Sequence, residues 1–133
     1  MTSDTAQSER FSRVAVSDEA ADLLRRLVAT HGPVMFHQSG GCCDGSTPMC
    51  YPAGEFLTGD ADVQLGDLQV EGIPDVPVWM SRLQFEYWQH THLTIDVVKG
   101  RGAGFSLEAP EGVRFLVRSR LLSTEELVAL GEL

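Results

Sequence analysis

The chain is short of cysteine, of basic residues and of long apolar runs, and each shortage narrows what it can be. Only three cysteines occur in 133 residues, at Cys42, Cys43 and Cys50. An odd, clustered set is a poor disulfide framework, so the fold must rest on a packed core. No apolar run approaches the roughly 20 residues a membrane-crossing helix needs. Residues 1–10 are polar and lack the apolar segment of a secretion signal. Lys and Arg number 10 against 19 Asp and Glu, a net charge of −9. Phosphate contacts need clustered Lys and Arg, so the acidity argues against a nucleic-acid binder. It argues equally against docking on anionic lipid membrane. No repeat, low-complexity tract or interdomain linker is visible. A reducing, cytoplasmic setting is expected, where clustered thiols bind metal or react more often than they cross-link.

What is present is a globular composition, 43% hydrophobic and 22% charged. The length suits one domain with a real core. Residues 1–12 read as a loose tail and residues 13–133 as a single domain. Residues 13–16 are β-branched enough for an edge strand. Ser17 then stands as an N-cap before Asp18 and Glu19. Ala20, Leu23, Leu24, Leu27 and Val28 follow at helical spacing. His31-Gly32-Pro33 stops that helix. Residues 34–38 read as a strand, and 48–54 as irregular because of Pro48, Pro52 and Gly54. Strands are expected at 63–70, with a kink near Gly66, at 76–80, at 93–98 and at 114–121. A short helix is expected within 81–89. Residues 100–104 read as a turn, with 105–107 extended beyond it. Ser123 and Glu126 have the spacing of a capping box and open a last helix through Leu130. The class is α+β: a compact domain around a mixed or antiparallel β-sheet, with a helix near each end.

The strand 34–38 runs straight into Ser39-Gly40-Gly41-Cys42-Cys43-Asp44-Gly45, with Cys50 just beyond. Gly40 and Gly41 let the backbone turn sharply and approach a ligand closely. Adjacent side chains of an extended segment point to opposite sides. One metal could hold both Cys42 and Cys43 only if the loop bends there, and Gly45 and Pro48 permit that. Three thiolates, Cys42, Cys43 and Cys50, form a partial set for zinc, iron, copper(I) or an iron–sulfur cluster. A histidine would complete it. Asp44 could orient a ligand or cap the turn. Two other readings stand beside this one. The cysteines could be small buried apolar residues, or a redox pair. Adjacent-cysteine disulfides are strained, so such a pair would join Cys50 to Cys42 or Cys43.

Three histidines are candidate ligands. His37 ends the strand that feeds the loop. His90 and His92 lie two apart at the start of a strand, where alternate residues share a face. His90-x-His92 followed by Asp96 resembles the first metal motif of cupins. That motif has Glu where Asp96 stands, and a further histidine downstream that this chain lacks. Trp79, Phe85, Tyr87 and Trp88 read as core or dimer contacts.

The order of motifs carries a wider resemblance. A strand, a helix opened by Ser17-Asp18-Glu19-Ala20-Ala21, a strand, then Ser39-Gly40-Gly41-Cys42 resembles the HesB/IscA-like A-type iron–sulfur carriers. Gly102-Ala103-Gly104-Phe105, with Ala109-Pro110 after it, is similar to their later Gly-Ser-Gly-Phe and Asn-Pro. The resemblance runs from about Val14 to Pro110. It implies their fold, with Cys42 as a matching ligand. Their two distal cysteines have no counterpart, since residues 111–115 are Glu-Gly-Val-Arg-Phe. The whole chain, through Gly-Gly-Cys-Cys-Asp-Gly and Pro48-Met49-Cys50-Tyr51-Pro52, more closely resembles a family of small bacterial proteins known only as a domain of unknown function. Members are often encoded beside aldehyde dehydrogenases, which implies a role near aldehyde or alcohol oxidation and a dehydrogenase as partner.

Three functions follow as expectations. The first is a metal- or cluster-binding accessory protein with Cys42, Cys43 and Cys50 as ligands, joined by His37, His90 or His92. The second is a thiol enzyme, with one of the cysteines as nucleophile and His37 or His90 as base. The third is a non-catalytic module that binds a partner dehydrogenase. Sheet proteins of this size often cover an edge with a second copy, so a homodimer is a further expectation.

Overall fold

A computed structural model of the chain describes residues 11–38, 45–100 and 106–132. In chain order its elements are β1 (Val14–Val16), α1 (Asp18–His31), β2 (Val34–Gln38), β3 (Met49–Pro52), β4 (Asp62–Leu68), β5 (Val76–Ser81), α2 (Arg82–Trp88), β6 (Thr91–Lys99), a 3-10 turn (Ala109–Glu111), β7 (Val113–Leu121) and α3 (Thr124–Ala129).

Local chemistry accounts for the helices. The Ser17 side chain accepts from the Ala20 amide at 3.2 Å, which starts α1 with Asp18 and Glu19 at the positive end of its dipole. Gly32 ends it at φ +82°, where its amide donates to the Val28 carbonyl. Ala20, Ala21, Leu23, Leu24 and Leu27 are buried, the face that the apolar spacing predicts. The capping box at α3 forms with both of its bonds, from Glu126 to Ser123 and back.

The class is α+β, as the pattern predicts, but the strands make two mixed sheets rather than one. The first has the order β1-β6-β7 and the second β3-β2-β5-β4. In each, one parallel pair sits among antiparallel ones, β1 with β6 and β2 with β5. The sheets face one another across the core. Phe36 of β2 meets Phe115 of β7 edge-on, with ring centroids 4.8 Å apart, and neither ring is exposed. Burying one such ring fully contributes about 1.5–3 kcal/mol.

The two margins where the sheets meet are closed differently. On one side, the Gly45 amide donates to the Val117 carbonyl at 2.7 Å, and the Val117 amide donates to Ser46 at 2.9 Å. On the other, Val14 of β1 packs onto Gly66 of β4. A Cβ at Gly66 would lie 3.1 Å from Val14 Cγ2. The register of β4 on β5 shifts between Gln64 and Gly66, which is the kink the sequence predicts.

Two segments depart from expectation. Residues 49–52 form strand β3 where prolines suggest irregular chain. β3 is an edge strand, where a proline's missing amide costs no ladder bond. Ser106 and Leu107 lie in a turn leading to the 3-10 turn instead of extending. Arg101, Gly102, Ala103, Gly104 and Phe105, which carry the predicted glycine turn and part of the carrier-like motif, lie outside the described residues. None of the described helices is long and apolar enough to cross a membrane.

Candidate functional site

β2 is an interior strand whose five residues are all buried. Alternate residues of a strand face opposite sides. Phe36 points to the core between the sheets, so His37 points to the other face of its sheet. It is covered there by the connection between β3 and β4. The Phe56 ring lies 4.3 Å from the imidazole, centroid to centroid, and Tyr51 packs on Phe56 at 4.9 Å.

The imidazole also meets a carboxylate. His37 Nε2 lies 2.7 Å from Asp62 Oδ1, and the His37 side chain is 3% exposed. Asp62 opens β4, and its Oδ2 accepts the Gly59 amide at 3.0 Å. The Asp62 amide in turn donates to the Gly59 carbonyl. The bond to His37 first, and then the Gly59 amide, hold the Asp62 carboxyl below its usual range. A carboxylate bonded to one ring nitrogen fixes the ring's rotation and directs its other nitrogen elsewhere.

Cys50 faces the opposite way. In the β2–β3 register Cys50 stands directly across from Phe36, whereas Met49 stands across from His37. Cross-strand partners share a face, so Cys50 points into the core and His37 away from it. The Cys50 thiol has no exposure, and burial, with Glu108 adding to it, pushes its pKa up. Around it the Cys50 amide donates to Ser106 Oγ at 2.8 Å, its carbonyl accepts the Leu107 amide, and the Ser106 hydroxyl donates to Glu108. Glu108 is itself fully buried, and burial raises its pKa despite the bonds from Ser106 and the Phe115 amide. Cys50 is thus a free cysteine buried in the core.

His90 and His92 lie in the other sheet's half of the molecule and do not share a strand face. His90 is exposed in the turn before β6, and only His92 belongs to the strand. His92 is buried against Phe11, ring centroids 5.7 Å apart, across from Arg120. Burial, then Arg120, lowers its pKa, and Glu126 partly opposes them. Among the described residues no group of three or more His, Cys, Asp or Glu side chains could hold a metal ion.

Gly40, Gly41, Cys42, Cys43 and Asp44 lie outside the described residues, but both ends of their segment are fixed. The chain leaves from Gln38 at the end of β2. It returns at Gly45, on β7 of the opposite sheet, where Arg114 donates to the Gly45 carbonyl at 3.1 Å and to Thr47 Oγ1 at 2.7 Å. Asp62, Glu108 and Arg114 carry no signal in the sequence. Asp62 sits 25 positions from His37 and Arg114 sits 67 and 69 from Thr47 and Gly45, while Glu108 bonds Ser106 and Phe115 only 2 and 7 positions away.

A family model for a domain of unknown function, DUF779, matches residues 23–121. The chain belongs to the DUF779 family. The match spans α1 to β7, so in this DUF779 chain it includes His37, Cys42, Cys43, Cys50, Asp62 and Glu108. No curated protein and no solved structure matches it.

Proposed function

We propose that this chain is a metal- or cluster-binding accessory protein, with its site at the end of β2. His37 and the thiolates of Cys42 and Cys43 are its ligands, and Cys50 is a core residue. The observation that carries this reading is the buried His37–Asp62 pair at the strand end from which the chain continues to Cys42. Five residues span at most about 18 Å of extended chain, so Cys42 stays within reach of the imidazole. An imidazole braced by a carboxylate is the usual ligand arrangement in metal sites. Joined by thiolates, it suits zinc, iron or copper(I). Cys42 is also the position shared with the A-type carrier resemblance, which supports a carrier-like origin for the loop. The partner we propose is an aldehyde dehydrogenase, on the family resemblance alone.

Elemental analysis of protein purified without air tests the assignment. The wild type and Cys50→Ala should carry stoichiometric transition metal, while Cys42→Ser and Cys43→Ser should not. Metal-free wild type that takes up no added zinc, iron or copper would refute it. A thiol enzyme is the second reading, favoured by the same pair, because a carboxylate-oriented imidazole can serve as base to a nearby thiol. Under that reading one thiol should alkylate much faster than the others at neutral pH.

A further inference from the structure

We infer that Glu108 is a latch set by pH. As a neutral carboxyl it holds residues 106–111 against β3 and β7 and keeps the Cys50 thiol covered, and as a carboxylate it releases that segment. None of these residues is among the proposed metal ligands, so the latch stands apart from that reading. β3 is the edge of its sheet, and the segment covers that edge at Cys50. The Cys50 amide donates to Ser106 Oγ at 2.8 Å, and the Cys50 carbonyl accepts the Leu107 amide at 3.1 Å. One Glu108 oxygen takes the Ser106 hydroxyl, and the other accepts the Phe115 amide of β7 at 3.4 Å. The carboxyl thus ties an edge strand of one sheet to a strand of the other. Its side chain has no exposure, and no ion pair among the described residues includes it. The charged groups of the neighbouring elements are engaged elsewhere. Arg26 of α1 reaches this segment but pairs with Glu111 at 3.2 Å. Arg114 of β7 bonds Gly45 and Thr47, and His37 of β2 lies on the other face of its sheet against Asp62. Cys50 of β3 does face Glu108, but a thiol supplies no positive charge. A carboxylate here would be buried without a counter-charge, so the segment stays closed only while the proton is held. Burial raises the Glu108 pKa in the closed segment, so closure is fully favoured below 4.5 and is lost as pH rises through the closed-state value.

Hydrogen exchange of the full chain, corrected for the intrinsic effect of pH, tests the latch. As pH rises, the Cys50, Leu107 and Phe115 amides should lose protection by up to about tenfold per pH unit for one proton. The amides of β6, the middle strand of its sheet, should keep theirs. Glu108→Gln, which carries the bonds without the charge, should hold the segment protected throughout. Alkylation of Cys50, read by peptide mass, should accelerate over the same range in the wild type and far less in Glu108→Gln. Wild-type protection that does not change with pH overturns the inference. So does a loss that Glu108→Gln shares, or one that the β6 amides share. The 13C carboxyl signal of Glu108 in the wild type keeps the test decisive if the variant does not fold. It must titrate above 4.5, over the range in which protection falls. A carboxyl that ionises at or below that value while the segment stays protected overturns the inference.

Discussion

His37 and His92 are both buried histidines on interior strands, one in each sheet, yet their surroundings differ in kind. His37 meets a carboxylate at 2.7 Å and sits where β2 ends. His92 packs on Phe11 across from an arginine, and its charge is disfavoured by burial and by Arg120. Burial alone makes a histidine a packing residue. Burial with an acceptor on one nitrogen makes it an oriented one. The same contrast separates His37 from Cys50. The two belong to neighbouring strands but point to opposite faces of the sheet, and nothing lowers the pKa of the Cys50 thiol.

Substitutions at the two histidines and at the buried carboxyl should separate these surroundings. The largest effect is expected on metal content. His37→Ala should empty the site, and His92→Ala should leave it filled, as read by metal analysis of both variants.

Stability against pH should separate the buried titrating groups by sign. Glu108 has its pKa raised on folding. Its contribution is fully present below the ordinary carboxyl value of 4.5 and is lost as pH rises toward the folded value. Relative to Glu108→Gln, the wild type should therefore weaken above that pH, by at most about 1.4 kcal/mol per pH unit for one proton. Urea midpoints across pH measure this.

His92 has its pKa lowered, so the sign reverses. Its contribution is present above the ordinary imidazole value of 6.5 and is lost as pH falls through the folded value. Against His92→Gln, the wild type should weaken on acidification below 6.5. The effect should be smaller than for Glu108, because His92 keeps 9% of its surface exposed whereas Glu108 has none. A wild type that strengthens there would break the contrast.

The smallest effect tests the opposition of Glu126 to that shift. Glu126 is bonded by Arg120, which first of several causes holds its pKa down to about 2, and its charge favours protonated His92. Glu126→Gln should lower the His92 pKa further, measurable by NMR titration.

Much of the fold was legible because its signals are local. Ser17 with Asp18 and Glu19 marks the start of α1, Ser123 with Glu126 marks α3, and Gly66 marks the bulge in β4. β3 was not legible, because its pairing with β2 and its bonds to Ser106 and Leu107 are tertiary and outweigh its prolines. The split into two sheets was hidden for the same reason, since it depends on which strands pair across the chain. At the site, His37 was visible as a strand-end histidine before a glycine–cysteine loop. Asp62 was not, being one of 19 acidic residues with nothing local to mark it. Nor could the cysteine spacing show that Cys50 falls on the core face, which is a matter of β2–β3 register.

X-ray absorption at the metal edge of the zinc-loaded chain decides whether His37 is a ligand. The spectrum should show a shell of sulfur with the outer scattering of a single imidazole, and that scattering should vanish in His37→Ala. A shell with no imidazole, or one whose imidazole survives His37→Ala and disappears in His92→Ala, would rule His37 out as a ligand.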